Sequence, residues 1–427
     1  ALGKTWYKID PETRERVNIS GEIGYPVYNE WHDLPKPADA YGIAGWTKDG
    51  NHVVLYDRYD MWVVDLSGQE KVYSLTNGYG RATSRQFRRL KNDYDDKIID
   101  LKNGFLMTSV NLDNRDEGIY RFLPNGKIKK LIEGAYSISI NQRSDNEKYC
   151  IFSRQSYTES RDLWWSDLTF TRPVRITDVN PQQKDYAWGT VKLIKWINYE
   201  DKENAGLLYL PENYDPNKRY PVIVNFYETH TEGLHGYVVP TWSSGMLNVI
   251  SYVSNGYVVF MPDIHFTVGS PGESCYDAVV SGTQWLIDNG IADKDRIGIQ
   301  GHSWSGYQVA YLVTRTNMFA CASPGAAVSS MISAYTGIRT GSGMPRMFMY
   351  EETQSRLGKS LWEDKEMYLR HSPILNADKI QTPLLIFHCD KDEAVPYSEG
   401  LNLFLAMRRL QKPAWLLNYK GERHFLY

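Results

Sequence analysis

The second half of the chain contains short apolar runs that do not alternate with polar residues. The runs are residues 221–227, 256–263, 296–301, 320–326, 383–390 and 414–421. Amphipathic stretches that fit helices separate them, the clearest at 275–289, 305–316 and 398–411. Apolar strands that alternate with helices are typical of a parallel sheet buried on both faces. Residues 186–427 are therefore predicted to form a mostly parallel α/β domain, with functional loops at the carboxyl ends of its strands.

A different pattern recurs before residue 185. An aromatic-led strand, a turn and a second strand closing on a small polar residue recur with variations in four copies, beginning at Thr5, Met61, Gly118 and Asp162. Alternating side chains and the turn residues Asp, Gly, Pro and Asn predict a β-hairpin for each copy. A spacing of about 45 to 58 residues fits a four-stranded propeller blade with insertions.

Residues 1–185 are therefore predicted to be part of a β-propeller. Four units are at the lower limit for a closed ring of blades. Because the first copy has no partner strands before it, we expect the earlier blades to lie outside this chain. An all-β sandwich with irregular hairpins is the alternative.

Length and composition limit the classes of protein to which the chain can belong. With 427 residues, 42% hydrophobic and 23% charged, it fits a globular protein of two domains. A net charge of −3 gives no basic surface that would favour nucleic acid. The longest apolar stretch, around 255–262, is too short to span a bilayer, so no transmembrane segment is expected.

Four widely spaced cysteines occur in the chain: Cys150, Cys275, Cys321 and Cys389. They form no Cys-x-x-Cys pair and no Cys/His spacing typical of zinc, so neither a metal nor another cofactor is predicted. We expect the cysteines to act as small buried side chains, and disulfide bonds between them are left open.

The segment 296–311, RIGIQGHSWSGYQVAY, combines a strand, a sharp turn and a helix around Ser303. The nucleophile-elbow pattern is Gly-x-Ser-x-Gly; Gly301 and Ser303 match it, whereas Ser305 occupies the last glycine position. Strand and helix approach closely at such a turn, so the residues on either side of the serine must be small. Ser305 is small, and Gly306 follows it. Ser303 is a candidate nucleophile, with an ordinary serine in an imperfect motif as the alternative.

Two further candidates follow later strands in the order serine, acid, histidine that α/β-hydrolases use. Asp390 and Asp392 end one predicted strand, and His424 ends the next. His424 would accept the Ser303 proton as general base, and an aspartate would orient its imidazole. Spacing does not decide between Asp390 and Asp392. A surface histidine on a terminal loop is the alternative for His424.

Other histidines lie near these strand ends. His302 and His388 are interpreted as structural residues beside the candidate positions. His230, His235 and His265 lie on loops after strands, where they either line the site or are solvated.

An oxyanion hole requires two hydrogen-bond donors aimed at the tetrahedral oxygen. In this motif the backbone N–H after the nucleophile, here that of Trp304, supplies one. Tyr227, at the end of the run 221–227, is a candidate for the second. A buried tyrosine whose hydroxyl satisfies a neighbour is an equally ordinary interpretation.

Four segments carry a resemblance to a known family: GHSWSGYQVAYLVTRTN, HCDKDEAVPY, NYKGERH and NGYVVFMPDI. Together, and in their order along the chain, they resemble the prolyl oligopeptidase family (S9) of serine peptidases, particularly its bacterial dipeptidyl-peptidase-like members. The resemblance covers 186–427 and, more loosely, the portion before it. It implies an α/β-hydrolase domain preceded by a β-propeller that restricts access to small peptides.

The resemblance also implies roles for individual residues. It assigns the nucleophile to Ser303, the acid to Asp392 and the base to His424. It assigns the oxyanion hole to Tyr227 together with the Trp304 N–H. The pocket for the substrate side chain would be lined by Trp304 and three further apolar residues, Val328, Met331 and Val395, which suit proline or another small hydrophobic group.

The sequence departs from the family pattern at two positions near the predicted site. Ser305 replaces the usual glycine. Ala394 stands between Asp392 and Val395, where many members have Asn or Arg to hold a substrate carbonyl, so strict dipeptidyl or prolyl specificity is left open. Family members continue beyond the histidine into a terminal helix, which is expected to be absent from residues 186–427.

The predicted function is hydrolysis of short peptides through an acyl-enzyme, in a dipeptidyl-peptidase-like or oligopeptidase-like manner. One alternative is an esterase or other acyl hydrolase with the same three residues, and another is a non-catalytic binding protein with this fold. Short peptides are the expected partners, and a homodimer is left open. The resemblance implies a periplasmic or secreted bacterial protein whose signal segment lies outside this chain.

Overall fold

A computed structural model describes residues 4–91, 93, 95–241 and 247–426. Contacts divide the chain into two compact units. The first consists of Ala1–His32, Pro37–Pro181 and His235–Tyr237, and the second of Asp33–Lys36, Gln182–Leu234 and Val238–Tyr427. The domain bounds predicted from the sequence, 1–185 and 186–427, stay predictions. Within these ranges, residues 1–3, 92, 94, 242–246 and 427 lie outside the part of the chain that the structure describes.

The first unit is built from short antiparallel strands that pair in chain order. A hairpin pairs β1 (Tyr7–Ile9) with β2 (Arg16–Asn18). Three four-stranded sheets follow, each a meander of consecutive strands. The first sheet consists of β3 (Ile43–Trp46), β4 (His52–Tyr56), β5 (Met61–Asp65) and β6 (Tyr73–Ser74). A short helix, α1 (Tyr79–Ala82), precedes the second sheet, which consists of β7 (Arg85–Arg89), β8 (Phe105–Asn111), β9 (Glu117–Phe122) and β10 (Ile128–Gly134). The third sheet consists of β11 (Ser137–Arg143), β12 (Tyr149–Gln155), β13 (Asp162–Asp167) and β14 (Val174–Arg175).

All four predicted hairpins are present, as the pairs β1/β2, β5/β6, β9/β10 and β13/β14. In three of them the small polar residue at the end of the copy closes the hairpin, because its hydroxyl oxygen accepts a backbone N–H near the start of the first strand. These hydrogen bonds join Trp6 to Ser20 at 2.9 Å, Met61 to Thr76 at 3.2 Å and Leu163 to Thr177 at 2.9 Å. The copy that begins at Gly118 ends on Ile132 and has no such hydroxyl.

Adjacent four-stranded sheets of the first unit pack face to face through apolar side chains. Phe87 and Tyr120 of the second sheet lie in one buried cluster with Met61 of the first, and their ring centroids are 5.1 Å apart. Ile119 of the second sheet and Phe152 of the third belong to another cluster. Stacked sheets of four antiparallel strands are the arrangement that the blade prediction requires.

The second unit is organised around an eight-stranded sheet. Its strands are β15 (Thr190–Ile197), β16 (Glu203–Leu210), β17 (Tyr220–Asn225), β18 (Val258–Pro262), β19 (Ala292–His302), β20 (Cys321–Gly325), β23 (Leu384–Cys389) and β24 (Ala414–Tyr419). Two further strands, β21 (Ile338–Arg339) and β22 (Met344–Pro345), form a separate small hairpin. The spatial order is β15-β16-β18-β17-β19-β20-β23-β24. The six strands from β18 to β24 run parallel to one another, and β16 is antiparallel to both of its neighbours.

Helices separate the parallel strands. They are α2 (Val249–Val253), α3 (Pro271–Asp288), α4 (Trp304–Leu312), α5 (Met331–Tyr335), α6 (Met347–Glu351), α7 (Lys365–Arg370) and α8 (Tyr397–Arg409), with 3₁₀ turns at Pro181–Asp185, Thr231–Gly233 and Pro373–Lys379. Every residue of β18 is buried, so both faces of the sheet are covered there. Among the described residues, no helix has the length and apolar character needed to cross a bilayer.

Each of the six apolar runs predicted to be strands overlaps one, and α3, α4 and α8 lie at the predicted helical stretches. The prediction of a mostly parallel sheet with helices on both faces, preceded by part of a propeller, is confirmed. The sequence analysis did not predict the antiparallel pair β15/β16, which precedes the first run. It was also wrong about Cys321, which is exposed, whereas Cys150, Cys275 and Cys389 are buried.

Candidate active site

Ser303 is the single residue between strand β19 and helix α4. Its backbone has φ 61° and ψ −116°, a conformation that is strained for a residue with a side chain. The Ser303 N–H donates to the Gly325 carbonyl at the end of β20, at 2.9 Å, and so ties the turn to the neighbouring strand. The sequence thus forms the strand, strained serine and helix of a nucleophile elbow.

Close packing explains the small residues around this turn. A Cβ atom on Gly301 would lie 2.4 Å from the carbonyl oxygen of Ser305, and one on Gly306 would lie 2.1 Å from that of Gly325. Ser305 itself is buried, and its hydroxyl accepts the His302 N–H at 2.9 Å and donates to the His302 carbonyl at 3.0 Å. The elbow therefore accommodates the serine that departs from the motif, with its polar group satisfied.

The three residues predicted to act together lie in contact. His424 Nε2 is 2.9 Å from Ser303 Oγ, and His424 Nδ1 is 2.7 Å from Asp392 Oδ2. Asp390, the other aspartate that the sequence left open, instead accepts the Gly421 N–H at 2.7 Å. Because Asp392 follows β23 and His424 follows β24, the parallel sheet brings three strand ends to one place.

Asp392 is held as a charged group by several donors. Its Oδ1 accepts the N–H groups of Ala394 and Val395, both at 2.8 Å, and its side chain is 0% exposed. Burial alone would raise the pKa of Asp392, but hydrogen bonds from His388 and His424 outweigh it and hold that pKa below its ordinary value. A carboxylate is therefore present beside His424 throughout the neutral range.

Two further histidines, His388 and His302, lie next to Asp392 and His424. His388 is fully buried; its Nε2 donates to the Val395 carbonyl at 3.0 Å and lies 3.4 Å from Asp392 Oδ2. The ring of His302 packs against that of His424, with centroids 4.7 Å apart. Burial, with a smaller contribution from His424, lowers the pKa of His302 to about 4, so this histidine is neutral near pH 7.

Tyr227 lies two residues beyond β17 and is fixed at both ends. Its carbonyl accepts a hydrogen bond from Gln308 Nε2 of α4 at 3.3 Å, and its hydroxyl oxygen accepts one from Gln354 Nε2 at 3.0 Å. Trp304, the other residue predicted for the oxyanion hole, begins α4, where the backbone dipoles favour negative charge.

The residues predicted to line a substrate pocket belong to one apolar cluster. Trp304, Val328, Met331 and Val395 are all buried in it, and Tyr227 packs against it. Further aromatic members of the cluster are Tyr307, Tyr311, Tyr335, Tyr350 and Tyr368. The surroundings of the serine are thus apolar on this side.

Buried charged residues that the sequence analysis did not identify fix the loops of the site. Arg346 is 3% exposed; its Nη1 donates to the Ala394 carbonyl at 2.5 Å and its Nη2 to the Tyr350 hydroxyl at 3.1 Å. Glu399 accepts the N–H groups of Ser329 and Ser330, both at 2.9 Å, directly after Val328. No local pattern marks these residues, since Ala394, Ser329 and Ser330, which they hold, lie far from them in the chain.

Two of the loop histidines, His230 and His235, contact aspartates on other loops. The backbone N–H of His230 donates to Asp263, and the ring of His235 lies 3.3 Å from Asp116 in the first unit. Neither of these contacts involves Ser303.

A mostly parallel sheet with a strained serine between strand and helix, and an aspartate and a histidine at later strand ends, defines the α/β-hydrolase class. Residues 243–427 match the model of the prolyl oligopeptidase family. Over this part of the chain, the resemblance to that family predicted from the motifs is confirmed.

Two curated relatives illustrate this similarity. The chain is 25% identical over 247 residues to the uncharacterized peptidase YuxL of Bacillus subtilis. This match covers 56% of this chain and 36% of the relative. The chain is also 24% identical over 331 residues to dipeptidyl-peptidase 5 of Porphyromonas endodontalis. That match covers 71% of this chain and 44% of the relative.

Two crystal structures show the same fold over nearly the whole chain. Dipeptidyl peptidase 4 of Porphyromonas gingivalis has a TM-score of 0.65 at 17% identity, covering 98% of this chain and 56% of the other. Acylaminoacyl peptidase of Pyrococcus horikoshii has a TM-score of 0.58 at 16% identity, covering 99% and 62%. The chain spans about a third of the length of the first curated relatives it matches, 36% and 31%.

Proposed function

We propose that this protein is a serine peptidase that hydrolyses short peptides through an acyl-enzyme on Ser303. The observation that carries the proposal is the continuous contact from Ser303 Oγ to His424 Nε2 at 2.9 Å and from His424 Nδ1 to Asp392 Oδ2 at 2.7 Å. These are the distances that proton transfer between a nucleophile and an oriented base requires.

In the first step Ser303 Oγ attacks the peptide carbonyl while His424 Nε2 takes the hydroxyl proton. The Asp392 carboxylate keeps the proton of the imidazole on Nδ1 and stabilises the positive charge that develops on the ring. His424 then donates the acquired proton to the leaving amine, which leaves an ester on Ser303. Water attacks this ester in a second round with the same base, and the free acid and Ser303 are released.

The negative charge of each tetrahedral intermediate develops on the former carbonyl oxygen. The N–H of Trp304 and the hydroxyl of Tyr227 donate to it in the proposed site. The apolar cluster of Trp304, Val328, Met331 and Val395 receives the adjacent substrate side chain. Such a lining favours proline or another small hydrophobic residue over a charged one.

Labelling with a fluorophosphonate tests the nucleophile. We expect the protein to be labelled once, at Ser303, and Ser303→Ala to be unlabelled. Ser254→Ala, which alters an exposed serine at the end of α2, serves as the matched control and should label like the wild type. An unlabelled wild type would defeat the proposal in favour of a non-catalytic protein.

The substrate class needs a second experiment. Peptide libraries digested by the wild type and by Ser303→Ala, with products read by mass spectrometry, should show cleavage after small apolar residues only in the wild type. If simple esters turn over while amides and peptides do not, the protein is an esterase with the same three residues. A periplasmic or secreted location and a homodimer stay predictions, which cell fractionation and sedimentation would test.

A further inference from the structure

A glutamine from a distant loop contacts the hydroxyl of Tyr227. Gln354 lies three residues beyond α6, and its side-chain Nε2 donates to the Tyr227 hydroxyl oxygen at 3.0 Å. Both side chains are half-buried. The reaction described above gives Gln354 no role, and no motif in the sequence singles it out.

The direction of this hydrogen bond decides where the Tyr227 proton points. A tyrosine hydroxyl has one proton to donate and an oxygen that accepts. Because the Gln354 amide is the donor, it occupies the oxygen and leaves the hydroxyl proton for a different acceptor. A hydroxyl that accepts one hydrogen bond also becomes a stronger donor of its own, because the two bonds polarise each other.

The glutamine is held in place by a buried arginine. Arg356 is 4% exposed, and its Nη1 donates to the Gln354 backbone carbonyl at 2.7 Å. Its Nη2 donates to Asp33 at 2.9 Å and to Glu228, the neighbour of Tyr227, at 2.8 Å. One guanidinium thus ties the glutamine loop to the tyrosine loop, and charge-assisted bonds of this kind are among the strongest in proteins.

We propose that Gln354 is the positioning residue of the oxyanion hole, directing the Tyr227 hydroxyl proton toward the oxyanion and strengthening its hydrogen bond in the transition state. This inference rests on the proposed function, in which Tyr227 donates to that oxyanion. Gln354 acts through Tyr227 and does not itself touch the substrate.

The near-isosteric Gln354→Met variant removes the donor. We expect kcat and kcat/KM for a chromogenic peptide amide to fall together by about tenfold, because the lost interaction is formed mainly in the transition state. KM should change less than about twofold. Gln284→Met, which removes a surface amide from α3 that donates to Asp288 at 2.8 Å, is the matched control and should keep the wild-type rate.

The isosteric Gln354→Glu variant reverses the hydrogen bond. An introduced carboxylate accepts the Tyr227 proton and draws it away from the oxyanion, so we expect a loss of about 100-fold at neutral pH. Protonation of the introduced carboxylate restores a hydrogen-bond donor. As the pH is lowered toward the ordinary pKa of glutamate, about 4.3, the ratio of variant kcat to wild-type kcat should therefore rise, by up to about tenfold for each pH unit. A merely structural role for Gln354 predicts a ratio that does not depend on pH.

A double-mutant cycle with Tyr227→Phe completes the test. In the Tyr227→Phe background, which has no hydroxyl, Gln354→Met should cause no further loss. Additive losses of activity in the double variant would overturn the inference. It would also be overturned if Gln354→Met kept the wild-type rate while Tyr227→Phe lost activity. Both outcomes would leave the proposed peptidase activity intact. Tyr227→Phe at the wild-type rate would overturn it as well. Absence of fluorophosphonate labelling would instead mean that the proposed function itself has failed, and thermal unfolding of each variant checks that it folds.

Discussion

Two aspartates with fully buried side chains, one in each unit, have the same chemistry and different surroundings. Asp162 begins β13, and Asp392 follows β23; both side chains are 0% exposed. The Asp162 carboxylate accepts from the Thr177 hydroxyl at 2.6 Å, the Val179 N–H at 2.9 Å and Arg175 Nη2 at 2.5 Å. The Asp392 carboxylate accepts from two backbone N–H groups and from His424.

The pKa of each aspartate is below its ordinary value for the same physical reason. Burial alone would raise the pKa of Asp162, but the hydrogen bonds from Thr177 and Val179 and the charge of Arg175 outweigh it. Hydrogen bonds from histidines do the same for Asp392. Burial and a lowered pKa therefore do not distinguish a structural carboxylate from a catalytic one; the partner that can gain or lose a proton does.

The sign of the pH dependence is also shared. Because each folded-state pKa lies below the ordinary value of 3.8, the stabilisation from each carboxylate is complete above about pH 4. It is lost as the pH falls below that value toward the folded-state pKa. Neither aspartate accounts for changes in stability between pH 5 and 8, so any change there has another source.

The largest expected effect is on activity, from Asp392→Asn. The amide keeps the size of the carboxylate but no longer enforces the Nδ1 proton on His424 or stabilises the imidazolium. We expect kcat on a peptide amide to fall by about 10⁴-fold with the fold retained. Steady-state kinetics and circular dichroism measure the two quantities, and Asp390→Asn, at the neighbouring exposed aspartate, is the control. A loss below about tenfold would show that Asp392 is a structural residue like Asp162.

The opposite result is expected for Asp162→Ala. Thr177 and Val179 lose the carboxylate that accepts from them, and Arg175 keeps its bond to Asp178 but loses the one to Asp162. We expect the free energy of unfolding to fall by about 3 kcal/mol, measured by urea denaturation followed by tryptophan fluorescence. The kcat of the molecules that remain folded should equal that of the wild type. A fall in kcat without a change in stability would contradict the distinction between the two aspartates.

A smaller effect than either is expected from His302, as a pH dependence of stability. Its folded-state pKa of about 4 lies below the ordinary value of 6.5, so its stabilisation is complete above about pH 6.5 and is lost as the pH falls toward 4. By pH 5 the loss from this residue amounts to about 2 kcal/mol. His302→Phe keeps the ring packing on Phe387 but cannot titrate.

We therefore expect the unfolding free energy of His302→Phe to decline less steeply than that of the wild type between pH 6.5 and about pH 5. Parallel urea-denaturation series at these pH values provide the comparison. His371, whose pKa is also lowered to about 4, titrates in both proteins and so cancels from the difference. Identical slopes for the two proteins would show that His302 does not cause the dependence.

The sequence predicted those parts of the molecule that depend on local pattern. Apolar runs located six of the strands, and the hairpin repeat located one pair of strands in each sheet of the first unit. Ser303, Asp392 and His424 could be predicted because the carboxyl ends of parallel strands converge at one edge of the sheet. The choice of Asp392 over Asp390 needed the family resemblance, since two aspartates two positions apart satisfy the same spacing.

The residues that support the site could not be predicted in this way. Gln354 meets Tyr227 across 127 positions of sequence, and Glu399 meets Ser329 across 70. Such contacts leave no periodicity, because each depends on how one loop is folded over another. The antiparallel pair β15/β16 was overlooked for a different reason: β15 is largely half-exposed and lacks a continuous apolar run.

Ser305 provides the smallest expected effect and tests the packing of the elbow itself. The sequence identified this residue as a departure from the motif, and its hydroxyl bridges the N–H and the carbonyl of His302 at 2.9 and 3.0 Å. Ser305→Ala leaves the buried His302 N–H without that acceptor, so we expect the free energy of unfolding to fall by about 1 kcal/mol. Because the residue next to Ser303 then loses one of its restraints, kcat should fall only a few-fold. Ser254→Ala is the control for both measurements. A loss of activity as large as that of Asp392→Asn would mean that the bridge holds the nucleophile in its strained conformation, and that packing at the elbow matters as much as the charge behind the histidine.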